Sequence, residues 1–200
     1  MKVRKNHDNK RNAILQAFYK LVAEYGMENV SIAKIAKDIN IPSSLIFYYF
    51  KNKQELIYGL IDYMFEKCIS ISTPDIDRTN KDVKGEFIKF VDCLFSVSGA
   101  IEIDSRVYFS CVNIALRDKK AKEKFAAYTE QANEKLLKDI EYFSAEGVIS
   151  CDNTAEVVYY LMVMIAGLQD TLDFLDDHEK FKCIVDFHRK QLFKFLEFKE

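Results

Sequence analysis

Apolar residues recur along this chain at spacings of three and four, the period of one helix face. From Arg11 the stripe runs Ile14, Phe18, Leu21, Val22 and Tyr25, with Gly26 at the stop position. Ile32, Ile35, Ala36 and Ile39 form a second, shorter stripe behind Ser31, a capping residue type. Asn40, Ile41 and Pro42 interrupt it, because the residue before a proline is pushed out of helical angles while proline itself fits a first turn. A third short helix is predicted over 43–50. It carries Leu45 and Ile46 inward and sets Ser43, Ser44, Tyr48 and Tyr49 on its outer surface.

Longer helices follow. Asn52 caps one whose stripe is Leu56, Ile57, Leu60, Ile61, Met64, Phe65 and Cys68, ending near 72–74. The polar stretch 73–81 predicts a loop, and helices are predicted over 82–97, 102–116 and 119–145, the last closed by Gly147, with short connections at 98–101 and 147–151. Asp152 or Asn153 caps the next helix, apolar around most of its circumference at Val157, Val158, Leu161, Met162, Met164, Ile165 and Leu168. Such a helix must be covered on two sides. The final helix repeats the theme through Phe181, Ile184, Val185, His188, Leu192, Phe195 and Leu196. The sum is an all-α chain of about nine helices. Its six Gly and two Pro fit that reading, since Pro42 and Pro74 both fall at predicted breaks.

Charge divides the chain. Residues 1–56 hold ten Lys or Arg against five Asp or Glu, a net of +5, and the remainder holds nineteen against twenty-six, a net of −7. A basic head on an acidic body suits a domain that neutralises phosphates, joined to one that the duplex repels. The segment 1–10, basic and without period, is expected to be a flexible arm whose Arg4 and Lys5 reach DNA.

Other chemistries find little support. Five cysteines lie tens of residues apart without a C-x-x-C pair, a spacing that excludes a sequence-evident zinc site and fits a reducing cytoplasm. His178 beside Asp176 and Asp177 reads as an exposed loop rather than a metal site. The most apolar run, 157–168, is too short for the roughly 18 to 20 residues of a bilayer span, so no membrane partner is expected. No G-x-S-x-G elbow, glycine-rich phosphate loop or H-E-x-x-H pair is present. An enzyme is not expected, nor a cofactor or metal.

The short second and third helices suit nucleic acid. A helix-turn-helix lays its second helix in the major groove while flanking donors hold phosphates. On that division Ser43, Ser44 and Leu45 meet base edges, and Ser31, Lys34, Tyr48, Tyr49 and Lys53 meet phosphates. Ile14, Ala17, Phe18, Glu24, Gly26, Ser31, Ile35 and Ala36, followed by the Phe47, Tyr49, Phe50, Lys53 and Leu56 pattern, resemble the N-terminal domain of TetR-type transcriptional regulators. The resemblance covers the first quarter to third of the chain. Two positions depart from it: the family commonly has glycine near Asn40 or Ser44, and tyrosine where this chain has Phe47. Without that hydroxyl, the phosphate contact passes to Tyr48 or Tyr49.

The resemblance implies a helix-turn-helix DNA-binding domain over 1–55 and a helical effector-binding and dimerisation domain over 56–200. It also implies a homodimer on double-stranded operator DNA, released by a small-molecule effector. Val158, Met162, Ile165, Ile184, His188, Leu192 and Phe195 are the expected dimer interface, completing a two-fold four-helix bundle. Phe65, Phe87, Phe90, Phe109, Tyr128 and Tyr160 are candidates to line a cavity for an apolar or aromatic effector. Aromatic stripes at this spacing are packed core in most proteins. Two alternatives stand beside this reading: an interaction protein of the same fold acting through a protein partner, and a thiol redox sensor using Cys68 or Cys111.

Overall fold

The computed structural model describes residues 2–72, 75–95, 103–175 and 177–198, with the side chains of residues 2–6, 68–72, 169, 172 and 173 outside that description. The expected connection at 98–101 lies outside it, as does the start of the loop at 73–81. Among the described residues there are nine helices and no strand: α1 (Lys2–Tyr25), α2 (Ile32–Asp38), α3 (Ser43–Tyr49), α4 (Lys53–Ser72), α5 (Val83–Leu94), α6 (Ser105–Ala115), α7 (Lys119–Ala145), α8 (Thr154–Phe174) and α9 (His178–Phe195).

Local chemistry sets their ends. The Ser31 hydroxyl accepts from the Lys34 amide at 3.2 Å to cap α2, and Asn52 accepts from the Glu55 amide at 2.9 Å ahead of α4. Of the two candidate caps for α8, Asn153 serves, accepting from the amides of Ala155 and Glu156. Asp82, Asp104 and Asp177 cap α5, α6 and α9. At the far ends, Gly26 (φ 81°) and Gly147 (φ 72°) turn left-handed, as does Asn40 (φ 52°). The Ile41 amide donates to the Ala36 carbonyl at 2.9 Å across Asn40, closing α2 as the Val148 amide does to Phe143 across Gly147. Asparagine is the non-glycine residue best suited to this conformation, so Asn40 supplies what the family glycine supplies.

The chain forms two compact units. One comprises Met1–Cys68 with Ile103–Tyr128, the other Ile69–Glu102 with Thr129–Glu200. In the first unit α1, α2, α3, the body of α4 and α6 surround a core of Phe18, Val22, Ile35, Ile46, Phe50, Leu56, Leu60, Met64 and Val107. In the second, Phe87, Phe90, Ile140, Phe143, Val157, Leu161, Leu192 and Leu196 form the core. There the Ser150 amide donates to the Leu196 carbonyl at 2.8 Å, tying the α7–α8 connection to the end of α9.

The expected arm over 1–10 is not an arm. α1 is continuous from Lys2, because its stripe extends backward: His7 and Arg11 lie seven and three residues before Ile14. The His7 ring packs on Tyr49 at 4.7 Å, and the Arg11 guanidinium lies 5.2 Å over the Phe50 ring. The side chains of Arg4 and Lys5 fall outside the described residues.

The expected interface set also needs correction. Val158 and Leu192 are 3% and 0% exposed within one chain, so neither has surface left for a second copy. Phe195 of the expected set is exposed, as are Tyr159, Val163 and Phe187 on the same two helices. Met162, Ile165, Ile184 and His188 are half-buried.

Candidate nucleic-acid interface

The surface of α3 sorts its residues sharply. Ile46 and Phe50 are fully in the core, Leu45 and Tyr49 are half-buried, and Ser44, Phe47 and Tyr48 face solvent, Tyr48 at 72% and Phe47 at 49% exposure. Leu45 therefore points inward less than its stripe predicts. Of the set Phe47, Tyr49 and Phe50, only Phe50 is wholly a packing residue. Gly59 on α4 makes room for it: a Cβ there would meet the Phe50 ring at 2.8 Å.

The N-terminal ends of α2 and α3 share an open groove of about 450 Å3, whose lining includes Val30, Ser31, Ile32, Ser43, Phe47 and Lys53. Ser31 and Ser43 thus line the same concavity, 12 positions apart in sequence. Lys53 is half-buried, and its ammonium donates to the Met27 carbonyl at 2.9 Å. It fastens the start of α4 to the turn after α1. An ammonium carries three donors, so a second contact by Lys53 is compatible with this anchor. Lys34 lies 3.1 Å over the Tyr25 ring, whose phenol is held above its ordinary pKa by the adjacent Glu24 carboxylate. His7 meets both tyrosines, Tyr49 at 4.7 Å and Tyr48 edge-on at 6.1 Å, and Tyr48, edge-on to Tyr49 at 5.2 Å, still keeps most of its surface exposed.

Sequence reasoning missed the polar joint behind this head. Asp118 accepts from the Tyr58 hydroxyl at 2.8 Å and from the Gln54 amide at 3.2 Å, and it caps α7 through the Ala121 amide at 2.8 Å. The Ala121 amide first, then the Tyr58 hydroxyl, lowers the Asp118 pKa; that contact in turn raises the Tyr58 phenol. Lys120 adds a 3.0 Å contact to Glu55. One turn further along α4, Lys124 grips both oxygens of Asp62 at 2.6 and 2.8 Å. Asp118 before Lys119 carried a capping signal, but nothing local pairs it with Tyr58.

The six aromatic candidates for an effector cavity divide between the units. Phe65 stacks on Tyr128 at 4.6 Å and Phe109 meets Tyr108 in the first; Phe87 and Phe90 interlock with Phe143 in the second, where Tyr160 packs on Phe195. Phe87 and Phe90 are 0% exposed and act as core. Burial pushes the Tyr128 phenol up to about 12, with the Asp62 charge adding to it.

Cys111 is wholly buried and its thiol is pushed up to about 12 by desolvation, which removes it as a redox sensor. The Cys68 side chain lies outside the described residues. Among the described residues no group of His, Cys, Asp and Glu could hold a metal, and no helix is long and apolar enough to cross a membrane.

Two short helices at a tight left-handed turn, the second outward-facing and braced by a long first helix, define a helix-turn-helix DNA-binding regulator. Family models agree at both ends: "Bacterial regulatory proteins, tetR family" matches residues 14–58, and "Tetracyclin repressor-like, C-terminal domain" matches 82–198. The chain belongs to the TetR family of transcriptional regulators, which are DNA-binding proteins and not enzymes. An HTH-type transcriptional regulator of Haemophilus influenzae is 33% identical over 66 residues, 33% of this chain and 35% of that protein. One from Staphylococcus aureus is 24% identical over 110 residues, 55% of this chain and 57% of its own length. The chain thus spans between a third and three-fifths of the curated relatives it matches. A TetR regulator from Haloarcula marismortui shares the fold at a TM-score of 0.77, with 22% identity, covering 95% of this chain and 97% of that one.

Proposed function

We propose that this regulator works as a homodimer, reads a partly palindromic operator with two copies of α3, and represses until a small apolar or aromatic effector releases it. The observation that carries the reading is the outward face of α3. Ser43, Ser44 and Leu45 stand at its leading end for base edges, Tyr48 is largely exposed for a phosphate, Ser31 and Lys53 line the groove, and Lys34 follows on α2, on a head of net charge +5. On this reading residues 1–55 are the DNA-binding domain and 56–200 the effector-binding and dimerisation domain. Dimerisation is supported by the apolar surface of α8 and α9. Tyr159, Val163, Phe187 and Phe195 are all exposed on these two helices.

Two heads on successive major grooves place half-site centres about 34 to 36 Å apart, or a simple multiple. Selection of bound fragments from a random pool of duplex DNA tests the proposal, with an inverted-repeat motif as the expected product. Enrichment of no motif would favour the alternative, a TetR-like protein acting through a protein partner. Effector release is tested by titrating small apolar and aromatic compounds into the selected complex. No change across an adequate panel would remove that part.

A further inference from the structure

Phe47 has no role in the core and no hydroxyl for a phosphate. Half of its ring faces outward, beside Ser43 in the groove between α2 and α3, while Ile46 and Phe50 on either side of it in sequence are buried. An exposed ring costs nothing extraordinary by itself. Its position decides the matter: Ser43 and Phe47 are one turn apart on the same face of the helix that the proposed function lays in the major groove. Every base edge there offers hydrogen-bonding groups, which a phenyl ring cannot satisfy. The apolar exception is the C5-methyl of thymine.

Resting on that reading of α3, we infer that Phe47 is a specificity-determining residue that packs on a thymine methyl in each half-site. One helical turn rises about 5.4 Å, and base pairs follow one another at about 3.4 Å. The thymine therefore lies one or two base pairs from the pair that Ser43 meets. Burying one methyl group corresponds to about a fourfold gain in affinity per half-site, or about 0.8 kcal/mol.

The test uses the full chain and the duplex obtained by random selection, with each thymine replaced in turn by deoxyuridine, which differs only in lacking the methyl. The inference expects one symmetry-related pair of positions at which the wild type loses about fourfold per half-site. At that pair Phe47→Ala binds the thymine and deoxyuridine duplexes equally, and Phe47→Tyr, which keeps the ring, retains the discrimination. The wild-type comparison needs no variant, so a poorly folded Phe47→Ala does not weaken the test. Sequence-specific binding with no loss at any deoxyuridine overturns the inference and leaves the regulator intact. Failure to enrich any duplex overturns the regulator reading and the inference with it.

Discussion

The outward faces of α3 and of the α8–α9 pair are both exposed, and they differ in kind. On α3, Ser43 and Ser44 stand one turn ahead of Phe47 and Tyr48, beside a lysine and a capping serine. On α8 and α9, Tyr159, Val163, Phe187 and Phe195 present mainly carbon. A mixed surface on a basic head suits a partner that is itself polar and charged. An apolar surface on an acidic body suits a second apolar surface, and a second copy of the same chain provides one. On the proposed function, the two faces serve two different partners.

Charging the apolar face should have the most severe consequence. Val163→Glu combined with Phe187→Glu is expected to leave the monomer folded, since both side chains are exposed, yet to separate the protomers. Operator affinity should then fall by about 10²- to 10⁴-fold, the gain that linking two heads supplies. Sedimentation and DNA titration on one preparation check both halves.

Next comes the contrast between neighbours on α9. Leu192→Ala should cost about 2 to 5 kcal/mol of stability because it opens a cavity in the second unit's core. Phe195→Ala, at 52% exposure, should cost much less in the separated protomer and act on association instead. Chemical denaturation of the charged-face variant, with and without each change, distinguishes them.

On the DNA side the most local test is Asn40, at φ 52°. Asn40→Ala should destabilise by about 1 to 2 kcal/mol, because a Cβ-bearing residue without a polar side chain pays for the left-handed turn. Asn40→Gly should be neutral or stabilising. Thermal unfolding reads both.

Smallest is a pH effect in the second unit. Asp139 is 4% exposed, and burial raises its pKa against the opposing Lys135 and the Arg78 contact at 3.3 Å. The folded state therefore holds this proton more tightly than the unfolded chain. Its contribution is full below 3.8, the ordinary value, and is lost as pH rises through the folded pKa. Urea unfolding across that window should show wild-type stability falling relative to Asp139→Asn as pH rises.

Much of the architecture was legible because it is written locally. The caps at Ser31, Asn52 and Asn153, the stops at Gly26 and Gly147 and the break at Pro42 each depend on a few adjacent residues. The candidate reading face was legible for the same reason: Ser43, Ser44 and Tyr48 lie on one short helix. Features set by distant partners were not. The backward extension of α1 depends on His7 meeting Tyr49, 42 positions away. A helix apolar nearly all round does not say which side meets its own chain, so the buried Val158 and Leu192 were indistinguishable in sequence from the exposed Tyr159 and Phe187. Phe65 and Phe87 share a period and a chemistry but belong to different units.

The most direct measurement of the central claim is equilibrium binding of the full chain to its selected duplex and to a scrambled duplex of equal length, across a range of salt. The protein should prefer the selected duplex by about 10³-fold or more, with both affinities falling as salt rises. Equal affinity for the two duplexes at every salt concentration would contradict it.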